Sequence, residues 1–211
     1  MQNFSRERIS SAVLKKSLII IFLVLLLDQV VKIWIKTHMT LGQEFPIFGN
    51  WFLINFTENE GMAFGMQFGG NYGKLLLSLF RLIAIGGIGY YIVYLIKKGA
   101  GTGLVICMSL ILAGAFGNII DSAFYGMLFS ESTFIETARL LPAGGGYSTF
   151  LHGKVVDMLY FPIISGNYPS WVPFWGGKDF LLFRPVFNIA DSAITIGVLT
   201  IIIFQRKLIK K

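Results

Sequence analysis

Residues 103–124, GLVICMSLILAGAFGNIIDSAF, decide the class of the fold. An α-helix needs about 20 apolar residues to cross the hydrocarbon core of a bilayer, and this stretch is long enough. Three further stretches are similarly apolar, at about 17–35, 75–96 and 186–204. We therefore expect an all-α membrane protein with four transmembrane helices in one polytopic domain that covers residues 1–211.

The composition also indicates a membrane protein. Of the 211 residues, 55% are hydrophobic and only 14% are charged, with a mean hydropathy of +0.68. A soluble domain of this length needs more charge on its surface. The net charge is +7, but the basic residues gather beside the apolar stretches, at 6–16, 97–98 and 206–211, as topology signals do. This placement predicts contact with membrane lipids and no nucleic-acid partner.

The single cysteine, Cys107, lies within an apolar stretch, so neither a disulfide nor a metal site is expected.

The positive-inside rule predicts that both termini and the 97–98 loop are cytoplasmic. Segments 37–74 and 125–185 then face the opposite side. Residues 50–56 and 180–187 are aromatic and β-prone, which predicts short strands in a small β-rich subdomain on the outer membrane surface. The glycines and serines of 127–153 predict a flexible insertion.

Ionisable residues inside apolar helices are costly and are usually functional. Asp28 and Lys32 lie four residues apart on the first span, which predicts a mutually neutralising pair on one helix face. On the third span Asn118 and Asp121 lie one turn apart, and Gly114 permits close approach of another helix.

Two more aspartates, Asp157 and Asp191, come from separate segments, and both are expected near the outer end of the bundle. Two carboxyl groups at close range cannot both ionise easily, so the pKa of one rises. The ionised group can then take a proton from an attacking water, while the protonated group polarises an amide carbonyl. From the residues alone a second interpretation stays open, since an aspartate beside an apolar segment is often an interface or helix-cap residue.

Two other kinds of protein fit the same residues. A small transporter could use Asp28, Asp121 and Asp191 as a proton or cation relay, although the chain shows no internal repeat. A scaffold protein could use the polar motifs only to pack its helices.

Taken in order, five motifs resemble those of the lipoprotein signal peptidases (signal peptidase II), a family of bacterial membrane aspartic peptidases. They are Asp28 with Lys32, the string Asn59–Gly65, Gly-x-x-Gly-Asn-x-x-Asp at 114–121, Val-Val-Asp at 155–157 and Phe-Asn-x-Ala-Asp at 187–191.

The resemblance implies that Asp157 and Asp191 are the catalytic pair. It implies that the residues that bind substrate or support the site are Asn59, Gly61, Gly114, Asn118, Asp121, Asn188, Asp28 and Lys32. We also expect a monomer of the bacterial inner membrane with its active site near the periplasmic face and no cofactor. The implied substrate is a prolipoprotein whose cysteine carries diacylglycerol, cleaved just before that cysteine.

The chain departs from the family pattern at two places. Ser122 stands where the family commonly has an arginine after the third-span aspartate, and Arg184 is a hypothetical substitute for that charge. The 35 residues between Asp121 and Asp157 also exceed the usual short link. Because the cost of loop closure grows slowly with length, the longer link should leave the pair intact.

Overall fold

The computed structural model describes residues 2–60, 70–162, 164–182 and 185–209. Its helices are α1 (Gln2–His38), α2 (Gly70–Lys98), α3 (Thr102–Ile120), the short α4 (Gly126–Leu128) and α5 (Ile189–Ile209). A π-helical turn, Asp121–Tyr125, joins α3 to α4. Of the described helices, three are long and apolar enough to cross a membrane: Ser10–His38, Tyr72–Lys98 and Thr102–Leu128. The apolar part of α5, Ile189–Phe204, is shorter.

All four predicted spans are therefore helical, and the structure corrects their ends. The first helix is much longer than 17–35. The fourth begins at Ile189, so the predicted start at Val186 is wrong. Val186 and Phe187 are apolar, but they pair with a neighbouring strand instead.

The strands form a small antiparallel sheet at one end of the bundle. Its spatial order is β1 (Glu44–Phe48), β2 (Phe52–Asn59), β3 (Val155–Tyr160) and β6 (Val186–Phe187). A separate hairpin consists of β4 (Ile164–Asn167) and β5 (Asp179–Leu182). The predicted small β-rich subdomain is confirmed, and its place on the outer membrane surface stays a prediction. Because its strands follow α1 and α4 and precede α2 and α5, the sheet covers the bundle end where those helices begin or finish.

Residues 127–153 are a packed part of this subdomain. Phe129 and Ala138 are buried in one core with Ile35 and Phe56. The Ala138 amide donates to the carbonyl of Lys36 at 3.1 Å. The buried Lys36 ammonium also lies 2.8 Å from the Ser132 hydroxyl and forms an ion pair with Glu58. The prediction of a loose insertion is therefore wrong, because these buried contacts fix a segment whose composition resembles that of a loop.

Helix α3 is central and packs against α1, α2 and α5. Glycines bring α3 and α5 close together. A Cβ on Gly114 would lie 2.2 Å from the Ala190 carbonyl oxygen, and a Cβ on Gly197 would lie 2.7 Å from the Cys107 carbonyl oxygen. The predicted close helix approach at Gly114 is thus confirmed, and it fixes the start of α5 against α3.

Gly114→Ala should lower the free energy of unfolding by about 1–3 kcal/mol, because the added methyl group overpacks a backbone contact that cannot yield locally. Unfolding of the detergent-solubilised protein measures the change. Gly86→Ala is the matched control, since a Cβ there meets no atom within 4 Å and alanine has the better helix propensity. Equal losses in the two variants would contradict the close contact.

Candidate active site

Asp191 lies in the first turn of α5 and is positioned by a reciprocal capping pair. The Asp191 amide donates to the Asn188 side-chain oxygen at 2.9 Å, and the Asn188 amide lies 3.4 Å from Oδ2 of Asp191. This is the capping-box arrangement, in which the residue before a helix and the third residue within it satisfy each other's free groups. The local sequence Asn-x-x-Asp therefore fixes the direction of the Asp191 carboxyl group.

Asp157 lies on β3 and is 2% exposed. Each of its carboxyl oxygens accepts an amide hydrogen: Asn188 Nδ2 donates to Oδ1 at 2.7 Å, and Asn59 Nδ2 donates to Oδ2 at 2.8 Å. Asn59 is at the end of the neighbouring strand β2, and Asn188 follows β6. Three separate parts of the chain therefore meet at this carboxyl group.

The two carboxyl groups share their hydrogen-bonding partners. Asn188 donates to both carboxyl groups, through Nδ2 to Asp157 at 2.7 Å and through its backbone amide to Asp191 at 3.4 Å, and its Nδ2 also donates to Asn118 Oδ1 at 3.0 Å. Asn118, on α3, donates in turn to Asp191 Oδ1 at 2.7 Å. Asp157 and Asp191, which are 34 positions apart in the sequence, are thus joined in one network of amide groups at the sheet-covered end of the bundle.

The environment of Asp157 favours its neutral form. Burial, and then the nearby charge of Asp191, raise the pKa of the Asp157 carboxyl to about 7, against the hydrogen bonds from Asn59 and Asn188, which favour the ionised form. A carboxyl group that holds its proton near neutral pH beside a second carboxyl group can serve in acid–base chemistry.

Beneath the two aspartates lies a fully buried charge cluster. Lys32 is 0% exposed, and its ammonium lies 2.9 Å from Asp28 and 2.9 Å from Asp121. Asp28 accepts the Ala190 amide at 2.9 Å, and Asp121 accepts the Val156 amide at 3.2 Å. Ala190 immediately precedes Asp191, and Val156 immediately precedes Asp157. Each carboxylate of the cluster therefore holds the backbone next to one of the paired aspartates.

The predicted pair of Asp28 and Lys32 is confirmed, and Asp121 is its third member. Lys32 also donates to Asn118 Oδ1 at 3.1 Å, which connects the cluster to the amide network.

Of the other predicted supporting residues, Asn59, Asn118 and Asn188 contact the aspartate pair. Gly114 contacts the backbone beside it. Gly61, most of the Asn59–Gly65 string and Arg184 lie outside the described residues.

The sequence did not reveal the part played by two other polar residues. Gln29 bridges the cluster, since its Nε2 donates to Asp28 at 3.1 Å and to Asp121 at 3.0 Å. Arg81, on α2, carries a positive charge that attracts Asp191, Asp121 and Asp157. Its position among apolar residues was the available signal.

Ser122 stands where the family commonly has an arginine, and it supplies no positive charge there. Its hydroxyl donates to the Asn118 carbonyl oxygen at 3.1 Å, one turn earlier in the helix. Within the parts of the chain that the structure describes, no three His, Cys, Asp or Glu side chains are grouped as metal ligands would be.

The helical bundle is apolar and contains a buried charge cluster, and one amide network connects two carboxyl groups under a small sheet. These features define a membrane protein with an acidic site. Residues 20–206 match the sequence model of the family described as signal peptidase (SPase) II. The "Lipoprotein signal peptidase" of Porphyromonas gingivalis is 52% identical over 185 residues, covering 87% of this chain and 80% of the relative. That of Amoebophilus asiaticus is 40% identical over 195 residues, covering 91% and 78%.

A solved bacterial membrane enzyme superposes with a TM-score of 0.57 at 28% identity, covering 90% of this chain and 92% of that one. The chain belongs to the signal peptidase II family. The resemblance drawn from the five motifs is thereby confirmed, and so is the expectation of an aspartic peptidase of this type. Membership favours the peptidase over the transporter and scaffold alternatives.

Proposed function

We propose that Asp157 and Asp191 are the catalytic pair with which this protein removes the signal peptide from diacylglyceryl-modified prolipoproteins, just before the lipidated cysteine. The observation that supports the proposal is that Asn188 donates to the carboxyl groups of both aspartates, through its side chain to Asp157 and through its backbone amide to Asp191, although the two come from distant segments. The family and the names of its relatives supply the substrate class.

The arrangement suits hydrolysis without a covalent intermediate. With one proton on the pair, the ionised carboxylate takes a proton from a water molecule as the water oxygen bonds to the amide carbon. The protonated carboxyl hydrogen-bonds the carbonyl oxygen, where negative charge develops. The carbon–nitrogen bond then breaks, and a proton from the pair passes to the leaving amine. Neither step needs a cofactor.

The amide groups around the pair are positioned to hold the carboxyl oxygens in place throughout this cycle. Asn59 and Asn188 donate to Asp157, and Asn118 donates to Asp191. Amide donors change no charge when the proton moves, so they can orient both protonation states of the pair. Both aspartates come from one chain, which supports a monomeric enzyme.

The proposed topology has four spans, with both termini in the cytoplasm and the active site near the periplasmic face of the inner membrane. The basic clusters at 6–16, 97–98 and 206–211 support this orientation. The start of α5 lies beneath the sheet, so a lipidated peptide held in the membrane could approach the pair laterally at the interface. Gly61 remains a proposed substrate-binding residue on the strength of the resemblance.

Cleavage of a purified diacylglyceryl-modified prolipoprotein tests the proposal directly. Mass spectrometry should show the freed signal peptide and a new amino-terminal lipidated cysteine. The same precursor without its lipid is the matched substrate control and should be cleaved poorly. Failure to cleave the lipidated precursor, or cleavage at another bond, would refute the proposed activity.

Activity should depend on pH as a bell-shaped curve, because the pair works with one proton and fails with two or none. The Asp157 pKa of about 7 places the alkaline limb near neutrality: kcat/KM should fall as pH rises above about 7 and the last proton is lost. It should fall again in acid, when both groups are protonated. Initial rates in buffers of constant ionic strength measure the curve, and a profile that rises steadily into alkali would contradict proton sharing.

A further inference from the structure

The tip of the β4–β5 hairpin exposes three large aromatic side chains. Residues 168–178 read YPSWVPFWGGK. Trp171 is 80% exposed, Phe174 is 92% exposed and Trp175 is 56% exposed. Scattered single apolar side chains on a surface are ordinary, but three aromatic rings within five residues are not. The tip therefore presents a compact apolar surface.

This surface is held in shape by the tip's own backbone. The Gly176 amide donates to the Val172 carbonyl oxygen, and the Gly177 amide donates to the Tyr168 carbonyl oxygen, each at 2.9 Å. A Cβ on Gly176 would lie 2.6 Å from the Ser170 carbonyl oxygen. Phe174 has a φ of 65°, a left-handed backbone conformation that residues with a side chain seldom adopt. The backbone at Phe174 thus directs its exposed ring outward from the tip.

The charge of the tip is complementary to the negative phosphates of a lipid headgroup region. Residues 168–178 contain no acid, and Lys178 follows the aromatic residues. Asp179, at the foot of the hairpin, accepts a hydrogen bond from Asn167 at 2.6 Å. Exposed aromatic rings at a hairpin tip, followed by a lysine, are typical of segments that lie in the membrane interface.

The hairpin is also continuous with the membrane-embedded part of the chain. It lies between β3, which carries Asp157, and β6, which leads within two residues into α5. The hairpin strands are four residues long and extend only about 13 Å, so the strands themselves carry the tip only a short way from the sheet-covered end of the bundle. Trp34, 47% exposed and one turn before the end of α1, marks the same end of the bundle.

We propose that the hairpin tip inserts Trp171, Phe174 and Trp175 into the headgroup–acyl boundary of the leaflet beside the sheet and so anchors the chain segment between the two aspartates. The leaflet is the outer one if the proposed topology holds. The partner is the bulk lipid of the protein's own membrane, bound through apolar contact and through attraction of Lys178 to lipid phosphates.

Depth-dependent quenching of tryptophan fluorescence tests this interaction in the full chain. The Trp34→Phe/Trp51→Phe variant leaves only the two tip tryptophans, and it would be reconstituted without substrate into phosphatidylcholine–phosphatidylglycerol vesicles. Lipids brominated near the headgroup should quench the tip strongly, and lipids brominated near the chain end should quench it less. The matched reference carries Trp34 alone, with Trp51, Trp171 and Trp175 changed to Phe. Tip quenching of the same order as in the Trp34 reference supports the proposal.

Three outcomes would overturn it. Quenching of the Trp34 reference without quenching of the tip would show that the tip is in water. Quenching that appears only when lipidated precursor is added would assign the tip to the substrate. Tip emission that shifts with the protein-to-lipid ratio, without quenching, would assign it to a second copy of the chain. Precursor cleavage by the same two variants tests the proposed function separately, because neither variant alters the amide network or the aspartate pair.

Discussion

Asp157→Asn should reduce cleavage of the lipidated precursor by roughly 10³–10⁴-fold, because asparagine can neither hold nor release the shared proton. Asparagine has nearly the shape of the aspartate it replaces. It keeps one acceptor oxygen and replaces the other by an NH2 group, so either Asn59 or Asn188 must turn its own amide oxygen toward the new donor; with that adjustment the packing around β3 is kept and the acid–base function is lost. Asp191→Asn should produce a loss of similar size, since the pair acts as a unit.

The measurement should separate chemistry from binding. Single-turnover cleavage with enzyme in excess reports the chemical step, and retention of lipidated precursor by the inactive variants reports binding. Asp179→Asn is the matched control: Asp179 is an exposed aspartate on the hairpin, outside the amide network, and its replacement should leave the rate unchanged. Activity of Asp157→Asn within tenfold of the wild type would remove Asp157 from the catalytic pair.

The sequence could predict the residues of the site better than their connections. A spacing of four residues predicts the Asp28–Lys32 pair, because side chains at that spacing share one helix face. The third member of the cluster, Asp121, comes from another helix, and only helix packing brings it to Lys32. The capping pair of Asn188 and Asp191 is local in sequence, yet the same string also suits an isolated helix cap, and the contact of Asn188 with Asp157 is tertiary.

The contact of Asn59 with Asp157 depends on strand register, which the sequence alone could not predict. Asn59 reaches Asp157 because β2 and β3 pair antiparallel, with Thr57 opposite Asp157 and an irregularity between Ile54 and Thr57. A shift of one residue would turn Asn59 to the opposite face of the sheet. Short strands with mixed burial do not specify such a register in advance, so the partner of Asn59 had to come from the structure.

The insertion at 127–153 illustrates the limits of composition. Its glycines and serines are typical of a loop, but four side chains distributed from its beginning to its end are buried: Phe129, Ser132, Ala138 and Leu151. Lys36 forms a buried ion pair with Glu58 beside this segment. Ser132 and Ala138, which also contact Lys36, are 96 and 102 positions away from it in the chain, a distance over which composition predicts no contact.

Lys32→Met should lower the free energy of unfolding by about 3–5 kcal/mol, because it leaves Asp28 and Asp121 buried as two uncompensated acids. Methionine fills a similar volume, so the loss reflects charge more than packing. Thermal or denaturant unfolding of the detergent-solubilised protein measures the change. Lys97→Met is the matched control, since Lys97 is exposed at the end of α2 and should cost little.

A second variant distinguishes a charge effect from a general disturbance. Adding Asp121→Asn to Lys32→Met removes one of the two facing carboxylates, so the double variant should regain part of the lost stability, a coupling that independent sites would not show. Cleavage should fall with Lys32→Met as well, because the cluster holds the Ala190 and Val156 amides beside the aspartate pair. If Lys32→Met were as stable as Lys97→Met, or if the second change only added to the loss, the cluster would not be the support on which the position of the pair depends.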